Sequence, residues 1–196
     1  LVLAGGKGLK MSEQKADVSE LRVAPAAGIN AEGRVVYKPL PVSALRSERR
    51  VPFSIYVRPD QGRLVQLFEA GWTPHIYPGS SDDKKLRDWD HLYVRSDEKK
   101  ALSSYYESIL PDVLNDPEIP TNEKCVVLQS QTTLLSEALF ESPKAPQIRR
   151  QKSHVNTMVN FVTREPQAMR ALLGLTNYDY YTYTHSVNVG LYGTWL

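Results

Sequence analysis

VPFSIYVRPDQGRLVQLFEAG, residues 51–71, decides the fold. In its first half Phe53, Ile55 and Val57 fall on one face and Ser54 and Tyr56 on the other. That period of two is the mark of a strand. In its second half Leu64, Gln66 and Phe68 alternate against Val65, Leu67 and Glu69. Asp60, Gln61 and Gly62 lie between the halves as a three-residue turn, with Gly62 able to take positive φ. The stretch therefore predicts a β-hairpin that ends at Gly71.

Working outward, RVVYKPLPVSAL (34–45) is extended and broken by Pro39 and Pro41, which predicts an edge or entry strand followed by the basic turn RSERR. Downstream, SSDDKKLRDW (80–89) opens with cap-type residues before Leu86 and Trp89, a short capped helix. HLYVRS (91–96) is a further short strand. SDEKKALSSYYESIL (96–110) is a helix with Ser96 as candidate cap and Asp97 and Glu98 in its first turn, where the helix dipole favours them. Its inner face is Leu102, Tyr105, Tyr106 and Ile109.

Beyond this module the pattern is helical. PDVLNDPEIP (111–120) carries three prolines and predicts a linker. Residues 121–141 place Val127, Leu134, Leu135 and Ala138 on one stripe. SPKAP (142–146) interrupts it. Residues 147–164 place Ile148, Val155, Met158, Val159 and Val162 at helical spacing, which is what intramolecular packing needs. Pro166 can open the next helix, with Met169, Leu172 and Leu173 inward and Gly174 as its cap. The fold class is thus α+β. The organisation is a polar lead-in at 1–33, expected to be disordered, an α/β module at 34–110, a linker at 111–120, connector helices at 121–175 and a closing helix at 176–196.

The totals exclude several function classes. A net charge of +2 with scattered Lys and Arg lacks the footprint of a nucleic-acid binder. One cysteine, Cys125, allows neither an intrachain disulfide nor a Cys-based zinc framework. No apolar run is long enough for a membrane span. Nothing at the start has the order of a signal peptide, so the cytoplasm is the expected location. The chain opens on Leu1 and its first methionine is Met11, so both ends read as cut. LVLAGGKG (1–8) resembles the first loop of sugar nucleotidyltransferases. The Thr or Ser, the Arg and the Pro-Lys pair of those loops do not follow, and Lys7 is followed by Gly8 rather than Ser or Thr. The stretch reads as a Gly-rich leader.

Four histidines are the candidate ligands or bases. His75 and His91 sit in short connecting stretches and His154 lies on a helix beside Arg149, Arg150 and Lys152. None has a ligand-type partner at helical spacing, so all three read as surface or satisfied structural residues. His185 shares a helical face with Tyr181, Asn188, Val189 and Tyr192. A lone imidazole on such a face is either a satisfied core residue or a metal ligand whose second nitrogen donates to a neighbour.

The segment TNYDYYTYTHSVNVGLY (176–192) resembles the opening of the catalytic domain in the HD-GYP family of bacterial cyclic-di-GMP phosphodiesterases. YKPLPVSALRSERRVPFSIYVRP (37–59), the hairpin ending in LFEAG, HLYVR with its following helix, and LFESP (139–143) are similar to the N-terminal module and connector that precede such domains. The resemblance implies that His185 is the first metal-binding histidine. It implies a divalent metal pair, iron or manganese, that activates water against a cyclic-di-GMP phosphodiester. Some relatives carry a Glu four residues before the histidine. Tyr181 stands there, which favours two metals over three. The 196 residues contain no His-Asp pair and no Gly-Tyr-Pro triplet. The expectation is therefore a fragment, inactive alone, of a metal-dependent signalling hydrolase, whose connector helices either pack within the chain or pair with a second subunit as a homodimer. The alternative is a non-catalytic sensor or interaction module with a degenerate HD-type domain.

Overall fold

A computed structural model of the chain describes residues 22–23, 36–59, 63–89 and 91–176. The fold is α+β. In chain order it consists of β1 (Arg22–Val23), β2 (Tyr37–Leu40), β3 (Ile55–Val57), β4 (Val65–Phe68), α1 (Ser81–Arg87), β5 (Leu92–Arg95), α2 (Lys99–Asn115), α3 (Thr121–Glu141), α4 (Ala145–Arg164) and α5 (Gln167–Thr176). The strands make one antiparallel sheet in the order β1-β4-β3-β5-β2.

The hairpin expected at 51–71 is β3 paired with β4, with a register shift between Ile55 and Tyr56. Its turn at 60–62 lies outside the described residues. The mouth of the hairpin is closed by Val51 N–H donating to the Trp72 carbonyl at 2.8 Å and Gly71 N–H donating to the Val51 carbonyl at 2.7 Å. Gly71 takes φ +94° there, a conformation that side chains disfavour. Phe53, Ile55 and Val57 are buried on one face, as the alternation predicts. Tyr56 on the other face is buried too, with Tyr37 edge-on to its ring at 5.4 Å. β2 is an edge strand, which is why it tolerates Pro39 opposite Tyr93. β1 pairs with β4 and falls inside the stretch whose composition predicts a loose lead-in.

The short helix α1 is capped as its sequence predicts. The Ser80 hydroxyl accepts from Asp83 N–H at 3.0 Å, and the Asp83 carboxylate accepts from Gly79 N–H at 3.0 Å. The start of α2 differs from expectation. Ser96 does not cap it; Ser96–Glu98 form a single 3-10 turn that leads into the helix. The Glu98 carboxylate instead accepts from Ser54 N–H, which ties the helix start to the hairpin at 3.0 Å.

A second difference lies at Pro111. The proline-rich stretch predicts a break there, but α2 runs through Pro111 to Asn115. Pro111 has no N–H for the Glu107 carbonyl, a loss on the order of 3 kcal/mol in an isolated helix. Ile109, Leu110, Val113 and Leu114 on either side are buried, and their burial, at roughly 1.5–3 kcal/mol per large apolar side chain, outweighs that loss.

One core serves both halves. It joins Phe53, Ile55, Leu92 and Val94 of the sheet to Tyr106 and Val113 of α2. It then runs on to Val127 and Leu128 of α3, Phe161 of α4 and Leu172 of α5. In α4 the apolar stripe is turned away from its expected position. His154, Met158 and Phe161 are buried, whereas Ile148 and Val159 are 53% and 40% exposed. Phe161, the larger side chain, takes the core position, and that rotation carries Ile148 and Val159 outward. α5 runs past Gly174, the expected cap, to Thr176.

Candidate functional site

His185, the residue on which the metal reading rests, lies outside the described residues, as do Tyr181, Asn188 and the Gly-rich leader. Among the described residues no group of three or more His, Cys, Asp or Glu side chains could hold a metal ion. His75 is exposed, with Nδ1 2.7 Å from Glu48 Oε1. His91 is exposed and lies edge-to-face with Tyr93, at 6.5 Å between ring centres.

His154 is a structural residue. It is buried between α3 and α4, and its Nε2 lies 2.7 Å from Thr132 Oγ1. Thr132 Oγ1 also donates to the Leu128 carbonyl at 2.8 Å. Its one proton is thus committed, so His154 Nε2 carries the hydrogen and donates to Thr132. Burial pulls the imidazole pKa down to about 4, and the ring is neutral at pH 7. Next to Thr132 on α3, Gln131 is fully buried and neither atom of its amide has a hydrogen-bond partner.

The helical half forms a mount for α5. At the start of α3, Lys124 Nζ meets Glu165 Oε1 at 3.0 Å and Thr121 Oγ1 donates to Glu165 Oε2 at 2.8 Å. Glu165 closes α4, and the Ala168 N–H donates to its carbonyl at 2.8 Å as α5 begins. The Cys125 thiol donates to the Ala168 carbonyl at 3.6 Å. Ala168 and Leu172 seat α5 in the core. The segment that carries His185 is therefore joined directly to a helix fixed at its base.

The sheet half is tied to this mount by ion pairs that span the chain. Lys38 of β2 pairs with Glu137 of α3 at 2.5 Å, and Lys99 of α2 with Glu141 at 2.5 Å. Arg46 pairs with Asp116 at 2.7 Å and Arg49 with Asp112 at 2.6 Å, joining the turn after β2 to the end of α2. Sequence reasoning missed all four pairs and the Lys124–Glu165 clamp. Partners 41 to 99 residues apart leave no periodic signal.

Two buried groups with nucleophilic atoms, Cys125 and Tyr106, are held in their protonated forms. Burial pushes the Cys125 thiol up to about 12, so it stays protonated. Burial also raises the Tyr106 hydroxyl well above the usual phenol range.

No family profile and no curated protein matches the chain. Among solved structures it is similar to Bd1817, a HDG"Y"P protein from Bdellovibrio bacteriovorus, at 20% identity and a TM-score of 0.40. The similarity covers 71% of this chain and 45% of that one. No helix among the described residues is long and apolar enough to cross a membrane.

Proposed function

We propose that these residues are the regulatory lead-in of a metal-dependent cyclic-di-GMP phosphodiesterase of the HD-GYP type, with His185 as the first metal ligand. The observation that carries the reading is the sequence TNYDYYTYTHSVNVGLY, which begins at the last residue of α5. The described residues do not fit a metal pair, and the 196 residues hold no His-Asp pair and no Gly-Tyr-Pro triplet. The reading therefore concerns a longer protein to which these residues belong. In it, the sheet half would act as the sensing or docking part. The α3–α5 mount would pass a change in its packing to the helix that bears His185.

The test uses the protein extended past Leu196. That protein is expected to contain downstream His-Asp and Gly-Tyr-Pro motifs, to purify with iron or manganese, and to hydrolyse cyclic di-GMP. His185→Ala should lose both metal and turnover. Wild-type metal content and turnover in the variant would remove His185 from the ligand set. A continuation without those motifs would leave a non-catalytic module.

A further inference from the structure

The outer face of α4 is apolar, basic and without a partner among the described residues. Ile148, Val155 and Val162 recur every seven residues, and Lys152 and Val159 stand four residues after the first two. These five positions share one side of a helix. Ile148 and Val159 are 53% and 40% exposed, and Val155 and Val162 are half-buried, Val162 against the core. Lys144, just before the helix, Arg149 and Lys152 are exposed and enter no ion pair among the described residues. The twenty residues of α4 include four Lys and Arg side chains and no carboxylate. The two other basic residues are engaged elsewhere, Arg150 with Glu107 and Arg164 with Asn115.

We propose that this face docks an acidic amphipathic helix of a partner protein, packed in heptad register along Ile148, Val155, Val159 and Val162. The unpaired cations select the charge of the occupant, since an acidic flank complements them and a basic one is repelled. A second copy of this chain would set one carboxylate-free α4 against another in either direction, so it is disfavoured. An anionic membrane surface is disfavoured on two counts. The exposed apolar residues are a β-branched seam half sunk in the core, with no protruding Trp or Phe to enter a bilayer. Three cations without an ion pair among the described residues also fall below the roughly four to eight that mark a lipid-binding cluster. β-branched side chains at every seventh position are what knobs-into-holes helix pairing uses.

The experiment takes the 196-residue chain and two labelled helical peptides of about three heptads. Both carry Leu at the two seam positions; one has Glu at its flanks and the other Lys. Fluorescence anisotropy is expected to show the acidic peptide binding at least about tenfold more tightly than the basic one at low salt. The double variant Arg149→Glu/Lys152→Glu, both exposed residues, should reverse that preference with circular dichroism unchanged. Val159→Asp should abolish binding of the acidic peptide. The proposal is overturned if the two peptides bind alike, if neither binds, or if the double variant keeps the original preference. It is likewise overturned if sedimentation velocity shows a dimer that Val159→Asp dissociates, or if phosphatidylserine vesicles capture the chain through Arg149 and Lys152.

Discussion

Lys124 Nζ lies 3.0 Å from Glu165 Oε1, so a side chain from the first turns of α3 holds the residue that closes α4. The two ends are unequal. The Lys124 side chain is 7% exposed, while Glu165 keeps 24% of its surface in water. Removing the carboxylate strands a buried cation, whereas removing the cation leaves a carboxylate that water and Thr121 still serve. Glu165→Gln should cost about 3 kcal/mol and Lys124→Met about 1 kcal/mol, because breaking a buried pair is expensive chiefly through the charge left behind. Urea unfolding of the two variants checks the order, and equal losses would mean that the pair is solvated.

His154 makes stability depend on pH. Its folded pKa is lowered to about 4 from an ordinary 6.5, because burial disfavours the imidazolium. The unfolded chain therefore takes up the proton first as pH falls. The stabilising contribution is complete above about pH 6.5 and is lost progressively down to about pH 4. At about pH 5 the loss amounts to roughly 2 kcal/mol, at 1.36 kcal/mol per unit of pKa. Carboxylates titrate in the same range, so the measurable quantity is a difference. His154→Gln should unfold more easily than the wild type at neutral pH, and the gap in urea midpoint should narrow on acidification. A gap that stays constant from about pH 7 to 5 would show that His154 reaches water.

Tyr105 joins α2 to the turn after β2. Its hydroxyl donates to the Ala44 carbonyl at 3.1 Å and accepts from Arg46 N–H at 3.4 Å, while its ring meets Phe53 edge-on at 5.3 Å. Tyr105→Phe keeps the ring and strips the hydroxyl, leaving the Ala44 carbonyl without that donor. The expected loss is about 1–2 kcal/mol. Thermal unfolding measures it, and a neutral variant would show that both backbone groups find other partners.

The hairpin, the capped helix α1 and the inner face of α2 are legible in the sequence because each is local. Alternation at 51–71, Ser80 three residues before Asp83, and Leu102, Tyr105, Tyr106 and Ile109 at helical spacing need no distant partner. Three features are not legible for the opposite reason. Pro111 reads as a break until the burial of Val113 and Leu114 in the core carries α2 through it. The stripe on α4 has two possible rotations, and Phe161 in the core decides between them. Ser96 has the chemistry of a cap, but Glu98 reaches Ser54 and a 3-10 turn takes its place. The candidate site divides in the same way. The histidine-bearing segment at 176–196 is visible only as sequence, whereas the Lys124–Glu165 pair at the base of α5 is visible only in three dimensions.

Gly71 holds the mouth of the hairpin in two ways that separate experimentally. Its φ of +94° strains any side chain, and a Cβ built there would lie 3.0 Å from Arg50 Nη2. The guanidinium is the far end of a flexible side chain and can move, whereas the backbone is held by the Gly71 N–H bond to the Val51 carbonyl at 2.7 Å. The torsion should therefore dominate. Gly71→Ala should cost about 1–2 kcal/mol, the usual penalty for a left-handed L-residue. Adding Arg50→Ala should restore only a small part of it. Urea midpoints of the single and double variants decide the matter, since a full rescue by Arg50→Ala would place the cost in the side-chain contact instead of the backbone.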